Sequence, residues 1–381
     1  KFGLIDAGQQ IGAVSGGGFG TYVSGGASFV FSDVLGNHIL STTAYVNGSL
    51  KDIGAEAMYL DRTSRWNWGF FGGRIPVLQG SSQVQRVVSN GQLFDVLETE
   101  LVRQTSTQIG AITMYPISRA TRVEFSTSVQ HIGFSGEVET DIYDTLSGQL
   151  LSVNRTDLET QPGLTLGEVS AAIVRDTSAS GAVSPILGQR LRLAVAPNYG
   201  GLRTTNITTD IRQYVMPIRP VTFAGRVVHL GRYGGSAEDQ RLVPLFLGYP
   251  EFVRGYDPNS FVAADCGDAT DGSCPSFDRL LGSRMLVINA EARIPVGGLF
   301  TGNLDYGPVP AELFGFFDAG VAWTQAERPS FAGGTRDWVR SVGVGARVNL
   351  FGFAIGEFNL VHPIDRLSQG WRFVFNLRPG F

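Results

Sequence analysis

Apolar and polar residues alternate with a period of two in many short segments of this chain. The pattern is clearest near the C-terminus, where every second position is large and apolar: Trp371, Phe373, Phe375 and Leu377. The positions between them carry Arg, Val, Asn and Arg. Successive side chains of a β-strand point to opposite faces of a sheet, so this period predicts strands and not helices. We therefore predict that the chain is all-β.

The two faces of the predicted strands differ sharply in composition. In segments 286–294 and 342–350 one face is apolar throughout, and the other carries the Gly, Asn, Glu and Arg residues. A water-soluble sheet normally exposes a Lys-rich face, but only Lys1 and Lys51 are present among the 30 basic residues. An apolar outer face and a polar inner face over about ten residues per strand are typical of outer-membrane β-barrels. Such a sheet must close, because lipid cannot form hydrogen bonds with a free strand edge.

Turn residues and Pro divide the chain into sixteen predicted strands. Three connections are long, at about 79–98, 138–160 and 234–281, and short turns on one side with long loops on the other are the asymmetry expected of a barrel. We predict a 16-stranded antiparallel transmembrane β-barrel that occupies residues 1–381 as a single domain. The predicted strands are 2–14, 19–31, 38–50, 53–61, 66–78, 101–115, 120–137, 163–176, 189–198, 203–217, 221–233, 282–295, 312–323, 338–350, 353–364 and 370–379.

Composition excludes several other classes of protein. The net charge is −4 and charged residues make up only 17% of the chain, while Gly and Phe are abundant. This combination excludes a disordered chain, and the slight acidity argues against nucleic-acid binding. No apolar run reaches 18 residues, so the sequence predicts no transmembrane helix. The chain has neither an initiating Met nor a signal peptide, and we expect it to be a processed or trimmed product.

Four separated features carry a resemblance to a known family. In chain order they are Val253-Arg254-Gly255-Tyr256 in the third long connection, Glu291 on a predicted strand, Gly315-Phe316-Phe317-Asp318-Ala319-Gly320 on the next strand, and the terminal Phe381. Together they resemble the BamA/TamA superfamily of outer-membrane assembly factors, also called bacterial surface antigens. The resemblance covers nearly the whole chain and implies a sixteen-stranded barrel.

The resemblance also implies roles for individual residues. The sixth outer loop of such barrels folds back into the lumen, and the Arg of its motif pairs with carboxylates on two neighbouring strands. Here this implies that Arg254 pairs with Glu291 and Asp318. An Arg guanidinium binds a carboxylate through two parallel hydrogen bonds, a geometry suited to holding a long loop. The alternative is that Arg254 is a solvated loop charge and that the carboxylates line a wet lumen.

The last strand resembles the aromatic C-terminal signal that such barrels use for their own insertion. The residues of this predicted signal are Trp371, Phe373, Phe375, Leu377 and Phe381. A narrower resemblance concerns residues 16–21 (GGGFGT) and 31–38 (FSDVLGNH), which are similar to barrels that follow a WD40-like β-propeller. BamA has polypeptide-transport-associated domains before its first strand, whereas this chain begins at its predicted first strand.

Two cysteines lie close together in the third long connection. Two Cys are too few for a disulfide scaffold or a four-Cys zinc site. In an oxidising envelope compartment we expect Cys266 and Cys274 to form a disulfide, and the alternative is two free thiols. Asp265, Asp268 and Asp271 raise the alternative of a calcium loop, but they lack the ligand spacing and the closing Glu of an EF-hand. We predict no metal and no other cofactor.

The sequence contains no recognisable catalytic motif. No GxSxG elbow and no phosphate-binding loop is present, and we predict that the protein is not an enzyme. The histidines are scattered over separate predicted strands or strand ends: His38, His131, His229 and His362. The tryptophans lie near strand ends, where we expect them to be interfacial anchors: Trp66, Trp68, Trp323, Trp338 and Trp371.

The leading functional hypothesis is a Gram-negative outer-membrane barrel that inserts, assembles or translocates protein, or moves lipid, without ATP. A client strand would add to a weak seam between the first and last strands. Residues 2–14 contain three Gly and few β-branched residues, which predicts a weakly specified strand. Expected partners are outer-membrane lipids and lipopolysaccharide, client polypeptides, and periplasmic or lipoprotein partners, but no nucleic acid. The alternatives are a passive porin and a membrane anchor for a domain that precedes Lys1.

Overall fold

The computed structural model describes residues 2–15, 21–47, 52–89, 91–266, 274–352, 354–366 and 369–379. Most of this part of the chain is β-strand. The strands are β1 (Phe2–Ser15), β2 (Thr21–Asp33), β3 (His38–Asn47), β4 (Ile53–Asp61), β5 (Asn67–Ser89), β6 (Gln92–Pro116), β7 (Thr121–Asp144), β8 (Leu150–Leu158), β9 (Leu164–Asp176), β10 (Ala179–Ser180), β11 (Pro185–Gly200), β12 (Thr204–Ile218), β13 (Val221–Tyr233), β14 (Leu245–Phe246), β15 (Leu281–Gly282), β16 (Arg284–Pro295), β17 (Ala311–Trp323), β18 (Val339–Leu350), β19 (Ala354–Pro363) and β20 (Arg372–Pro379).

Helical segments are short. They are α1 (Ala263–Cys266), α2 (Pro275–Asp278) and α3 (Gly298–Thr301), with 3₁₀ turns at Pro258–Ser260 and Ser330–Ala332. Among the described residues, no helix has the length and apolar character needed to span a membrane.

Eighteen of the described strands belong to one sheet, and β14 and β15 form a separate antiparallel pair. Each of the sixteen predicted ranges overlaps one strand of the large sheet. The two additional strands are β8 and β10. β8 pairs with residues 136–143 of β7 although nearly all of its side chains are exposed. Because β8 has no buried face, its sequence carries no apolar alternation, and the prediction of a strand-free connection over 138–160 is therefore wrong.

The predicted long connection over 79–98 is also wrong. β5 and β6 pair without interruption from Asn67–Met114 to Ser89–Gln92, so that this segment is the end of a long β-hairpin. Cross-strand polar pairs replace apolar burial there, including the ion pair between Arg86 Nε and Asp95 Oδ1 at 2.7 Å. In the sequence Asn-Gly follows Ser89, and Gly91 has a φ of 77°. Asn-Gly is a strong sequence signal for a hairpin, so a turn at this point could have been predicted from the sequence.

The chain divides into two compact units. The first, residues 1–115, 125–169 and 199–202, contains an antiparallel ladder that runs in chain order from β1 to β6. The second, residues 116–124, 170–198 and 203–381, contains a ladder in the order β11, β12, β13, β16, β17, β18, β19, β20. Residues 234–283 connect β13 to β16 in the chain; we call them the long loop.

The ladder of the second unit has two contrasting faces. The long loop packs on one face, where Met285 and Val287 of β16 are fully buried together with loop residues. On the opposite face, large apolar side chains are open to the surroundings: Phe373, Phe375 and Leu377 of β20 are 69%, 52% and 60% exposed. A water-soluble sheet buries its apolar face, and this ladder exposes it. This inverted arrangement is the one expected of strands that face lipid.

An apolar core lies between the long loop and the strands beneath it. Because these side chains come from both the loop and the ladder, the loop is a packed layer rather than a solvated excursion. The core is formed by Val228, Phe246, Leu247, Val253, Tyr256, Leu280, Met285, Val287, Ala322 and Val339.

Candidate functional site

The Val253-Arg254-Gly255-Tyr256 segment is buried in the second unit, where the long loop meets the ladder. Val253 and Tyr256 belong to the apolar core and are fully buried. Gly255 has a φ of 86°, a left-handed conformation that favours Gly. A Cβ atom there would also lie 2.9 Å from Val361 Cγ1. Val253 and Tyr256 therefore lie in the core, and Arg254, between them in the chain, extends towards the strands.

Arg254 binds Asp318 of β17 through two parallel hydrogen bonds. The guanidinium donates from Nε to Asp318 Oδ2 at 2.7 Å and from Nη2 to Oδ1 at 2.8 Å. Asn289 of β16 donates from Nδ2 to the same Oδ1 at 2.8 Å and to the Phe252 carbonyl at 2.7 Å. Asp318 is completely buried. A loop cation and a strand anion are thus held together out of contact with bulk water.

Arg254 also contacts Glu291 of β16. The distance from Nη1 to Glu291 Oε1 is 3.0 Å. The guanidinium carbon lies 3.5 Å from the centre of the Phe316 ring, which covers one face of the cation. The structure therefore brings together Arg254, Glu291 and Asp318, the three charged residues that the sequence resemblance singled out.

A second buried arginine, Arg347 of β18, joins the same network. It donates from Nε to Glu357 Oε2 at 2.6 Å, from Nη2 to Glu291 Oε1 at 2.9 Å and from Nη1 to Glu312 Oε1 at 3.2 Å. Glu312, Arg347 and Glu357 are direct cross-strand neighbours on β17, β18 and β19. Sequence reasoning missed this triad, because only the strand register shows that the three positions face one another.

The network contains more carboxylates than guanidinium groups. Arg293 of β16 completes it by donating from Nε to Glu291 Oε2 at 2.8 Å. The members are four carboxylates, Glu291, Glu312, Asp318 and Glu357, and three guanidinium groups, Arg254, Arg293 and Arg347. Each charge has an opposite charge in contact, as buried ions require. The arrangement can hold the loop to four strands.

Close packing of the loop explains a glycine at the end of the Gly315–Gly320 segment. A Cβ atom at Gly320 would lie 2.7 Å from Leu247 Cδ1 and 2.8 Å from Val253 Cγ2. A larger residue would push the loop core away from β17. The Tyr256 hydroxyl adds a contact between the loop and β18, because it donates to the Arg340 carbonyl at 2.9 Å. Burial raises the pKa of Tyr256 to about 12.

A cavity of about 250 Å³ adjoins the network within the second unit. Arg190, Arg212 and Arg226 line it from β11, β12 and β13, where they are direct cross-strand neighbours. Asp210 bridges two of them, accepting from Arg212 Nη2 at 2.7 Å and from Arg226 Nη2 at 2.8 Å. The polar face of these strands is thus lined by paired charges around water-accessible space.

The remaining predicted residues have separate environments. The side chains of Trp371, Phe373, Phe375 and Leu377 are exposed on one face, whereas Phe381 lies outside the described residues; their role as an insertion signal stays a prediction. His131 Nδ1 contacts Thr165 Oγ1 of a neighbouring strand at 2.9 Å. Within the described ranges, no group of three or more His, Cys, Asp or Glu residues is placed to hold a metal ion.

Cys266 and Cys274 are joined by a disulfide. Cys266 ends α1 and Cys274 precedes α2, so the bond closes the segment between these two turns of helix. Asp268 and Asp271, which the calcium alternative requires, lie outside the described residues. Asp265 points elsewhere, since its Oδ2 accepts a hydrogen bond from Arg366 Nη2 at 2.6 Å.

Replacing both cysteines with serine is expected to loosen the loop locally and to change global stability little. A disulfide stabilises mainly by restricting the unfolded chain, and a closed segment this short contributes less than about 3 kcal/mol. Mass spectrometry of non-reduced protein matured in the envelope should find the linked peptide. Two free thiols in that protein would contradict the prediction, as would a large loss of barrel stability in the double variant.

Comparison with known proteins identifies the family. The Omp85 superfamily domain matches residues 79–376. The fold is similar to that of BamA from Haemophilus ducreyi lacking POTRA domains 1–3, with a TM-score of 0.57, 13% identity, and coverage of 97% of this chain and 70% of that chain. It is similar to CdiB from Acinetobacter baumannii, with a TM-score of 0.57, 13% identity, and coverage of 100% and 60%. For CdiB from Escherichia coli the values are 0.53, 11%, 98% and 62%.

These comparisons confirm the predicted relationship and the all-β barrel class. The chain spans 60–70% of the length of these three solved structures, and no curated protein matches it. The matched domain covers more than three quarters of the chain and includes the long loop and the whole charge network. The chain therefore belongs to the Omp85 superfamily.

Proposed function

We propose that this chain is an outer-membrane barrel that inserts, assembles or translocates protein, or moves lipid, through a lateral seam between its first and last strands. Family and fold support the coarser statement, an outer-membrane barrel for protein insertion or translocation. The seam, the client and the single-domain organisation of residues 1–381 are parts of the proposal. The proposed location is the Gram-negative outer membrane.

One observation carries the proposal: the buried ion pair between Arg254 and Asp318 within an Omp85 domain. The pair and the core around it hold the long loop against β16–β19. A passive loop would need neither a fully buried bidentate pair nor a packed core, because a solvated loop pays no desolvation cost for its charges. We infer that the docked loop takes part in the function. It stiffens the strands on which it packs, β16–β19, while the seam between the first and last strands opens.

The proposed mechanism needs no cofactor and no covalent chemistry. A client strand would add to the free edge of β1 or β20 by backbone hydrogen bonding, which is the ordinary mode of β-augmentation. β1 contains three Gly, and Pro379 at the end of β20 removes one donor. Because both features would weaken pairing between β1 and β20, we propose that a client strand enters at this seam. The proposed partners are client polypeptides, lipids and lipopolysaccharide of the outer membrane, and periplasmic or lipoprotein partners.

Locking the seam is expected to abolish activity. Single cysteines in β1 (Phe2–Ser15) would be combined with single cysteines in β20 (Arg372–Pro379), and pairs that oxidise to a disulfide would be selected. Insertion of a client barrel into liposomes should be nearly lost in the oxidised protein and should return on reduction. The matched control is the pair Val344→Cys with Leu360→Cys, which are direct neighbours on the exposed face of β18 and β19. Oxidising this pair should leave activity unchanged.

The same experiment decides against the alternatives. The water-accessible cavity lined by Arg190, Arg212 and Arg226 favours a passive pore as the second candidate. A pore would conduct ions steadily in a planar bilayer whether or not the seam is locked. If the oxidised seam variant remains fully active, the gate proposal fails. If instead neither the oxidised nor the reduced protein inserts the client, steady conductance would favour a pore, and its absence would favour a membrane anchor.

A further inference from the structure

The long loop has a second buried anchor, which neither the motif nor the sequence pattern indicates. Arg366 lies in the connection between β19 and β20 and is nearly inaccessible. Its Nη2 donates to Asp265 Oδ2 at 2.6 Å and to the Ser260 carbonyl at 2.8 Å. Its Nη1 donates to Ser260 Oγ at 2.7 Å and to the Gly255 carbonyl at 2.9 Å. One arginine therefore binds three separate points of the loop.

Contacts on both sides extend this anchor. The guanidinium of Arg366 lies 3.9 Å from the centre of the Phe261 ring, so a loop aromatic covers the cation. Gln369 Nε2 donates to the same Asp265 oxygen at 3.3 Å. Arg372, the first residue of β20, donates from Nη1 to the Ser260 carbonyl at 3.2 Å. The loop thus touches the last strand directly as well as the connection that leads into it.

The two anchors have opposite polarity. At the first, the loop supplies the cation, Arg254, and strand β17 supplies the anion. At the second, the loop supplies the anion, Asp265, and the β19–β20 connection supplies the cation. Only ten residues separate Arg254 from Asp265, and a 3₁₀ turn and α1 compact them. Little chain therefore lies between the two anchors.

We propose that Arg366 and Asp265 form a latch that couples docking of the long loop to the stability of β20. When the latch is closed, β20 is restrained at its first residue by the loop. When the loop releases Arg366, the restraint on β20 is lost and the strand opens more often. The functional meaning of the latch rests on the proposed function, in which β20 is one side of the seam. The disulfide-bonded Cys266 is next to Asp265 in the chain.

Hydrogen–deuterium exchange of the purified barrel in detergent tests the latch without any client. In Asp265→Asn the charge is lost at nearly constant shape. The amides of β20 (Arg372–Pro379) and of loop residues 256–265 should then exchange about tenfold faster, the change expected from losing one charge-assisted hydrogen bond. The amides of β16 (Arg284–Pro295) serve as an internal reference and should be unchanged.

A matched control tests whether the effect is specific to the latch, and a milder variant replaces Asp265→Asn if that variant does not fold. Arg241→Gln removes an ion pair of the same loop, between Arg241 and Asp239, which does not involve the β19–β20 connection; exchange in β20 should equal that of the wild type. If Asp265→Asn does not fold, Ser260→Ala removes one hydrogen bond to Arg366 and should give a smaller acceleration in the same two regions.

Two outcomes would overturn the latch. Faster exchange in the loop with unchanged exchange in β20 would show that the contact between Arg366 and Asp265 is local and does not couple the loop to β20. Unchanged exchange in both regions would show that the contact contributes little to stability. Neither outcome bears on whether the seam admits clients. Conversely, if exchange accelerates in both regions of Asp265→Asn while the variant with the locked seam remains active, the latch is supported and the proposed function fails.

Discussion

Arg254→Ala is expected to release the long loop and to destabilise the protein strongly. The substitution leaves Asp318 buried without its cation and removes a contact of Glu291. Breaking a buried pair by removing one partner costs about 3–5 kcal/mol, because the remaining charge stays desolvated. We expect the loop to become sensitive to protease within minutes under conditions in which the wild-type loop is protected. Limited proteolysis followed by mass spectrometry of the fragments measures this directly.

Two variants control for this result. Arg254→Lys keeps the positive charge but cannot form the two parallel hydrogen bonds, so it should give intermediate sensitivity. Arg241→Ala removes a more exposed arginine from the same loop, whose pair with Asp239 is local; its protection should match the wild type. If the loop of Arg254→Ala is as protected as that of the wild type, the ion pair does not hold the loop.

Arg347→Ala is expected to have an effect at least as large, but on the strands rather than on the loop. Arg347 contacts three carboxylates, Glu291, Glu312 and Glu357, from β16, β17 and β19. Its removal leaves a surplus of buried negative charge on adjacent strands. The expected loss of stability is again about 3–5 kcal/mol or more. The heat-induced shift of the barrel on a denaturing gel should occur at a clearly lower temperature.

The same strand offers a control for Arg347. Arg340 of β18 pairs with Asp365, but its side chain is about half exposed. Exposed ion pairs contribute little to stability, so Arg340→Ala should melt close to the wild type. A double variant, Arg347→Met with Glu357→Gln, should recover part of the lost stability because one unpaired carboxylate is removed. Equal melting of Arg347→Ala and Arg340→Ala would contradict the network.

A large part of this fold could be predicted from local sequence. The period of two located strands that have one apolar and one polar face, as β16 and β20 illustrate. It failed at residues 79–89 and at β8; residues 83–89 and nearly all of β8 are exposed, and exposed strands carry no apolar alternation. There the hairpin is stabilised by backbone pairing and by cross-strand ion pairs such as Arg86–Asp95. The Asn-Gly turn was a usable signal for the first of these hairpins.

The candidate site was predictable only in part. The loop motif and its two carboxylates, Glu291 and Asp318, were found through a resemblance in which the order of motifs along the chain was the signal. Nothing in the sequence singled out Glu312 or Glu357 from the other carboxylates of the polar face. The structure shows that they flank Arg347 across two strand pairs, and a register shift of one residue would have moved them to the opposite face.

By itself the sequence determined the strands that have one apolar and one polar face, and which of the two faces is polar, because alternation is a property of neighbouring residues. It also determined that Gly occupies position 255, where the chain needs a positive φ. Only the tertiary structure decided which charges meet. Arg366 and Asp265 are 101 residues apart in the chain, and their contact depends on the path of the long loop over the strands. Strand register and loop path are set by the packing of the whole unit, so no local pattern encodes these pairs.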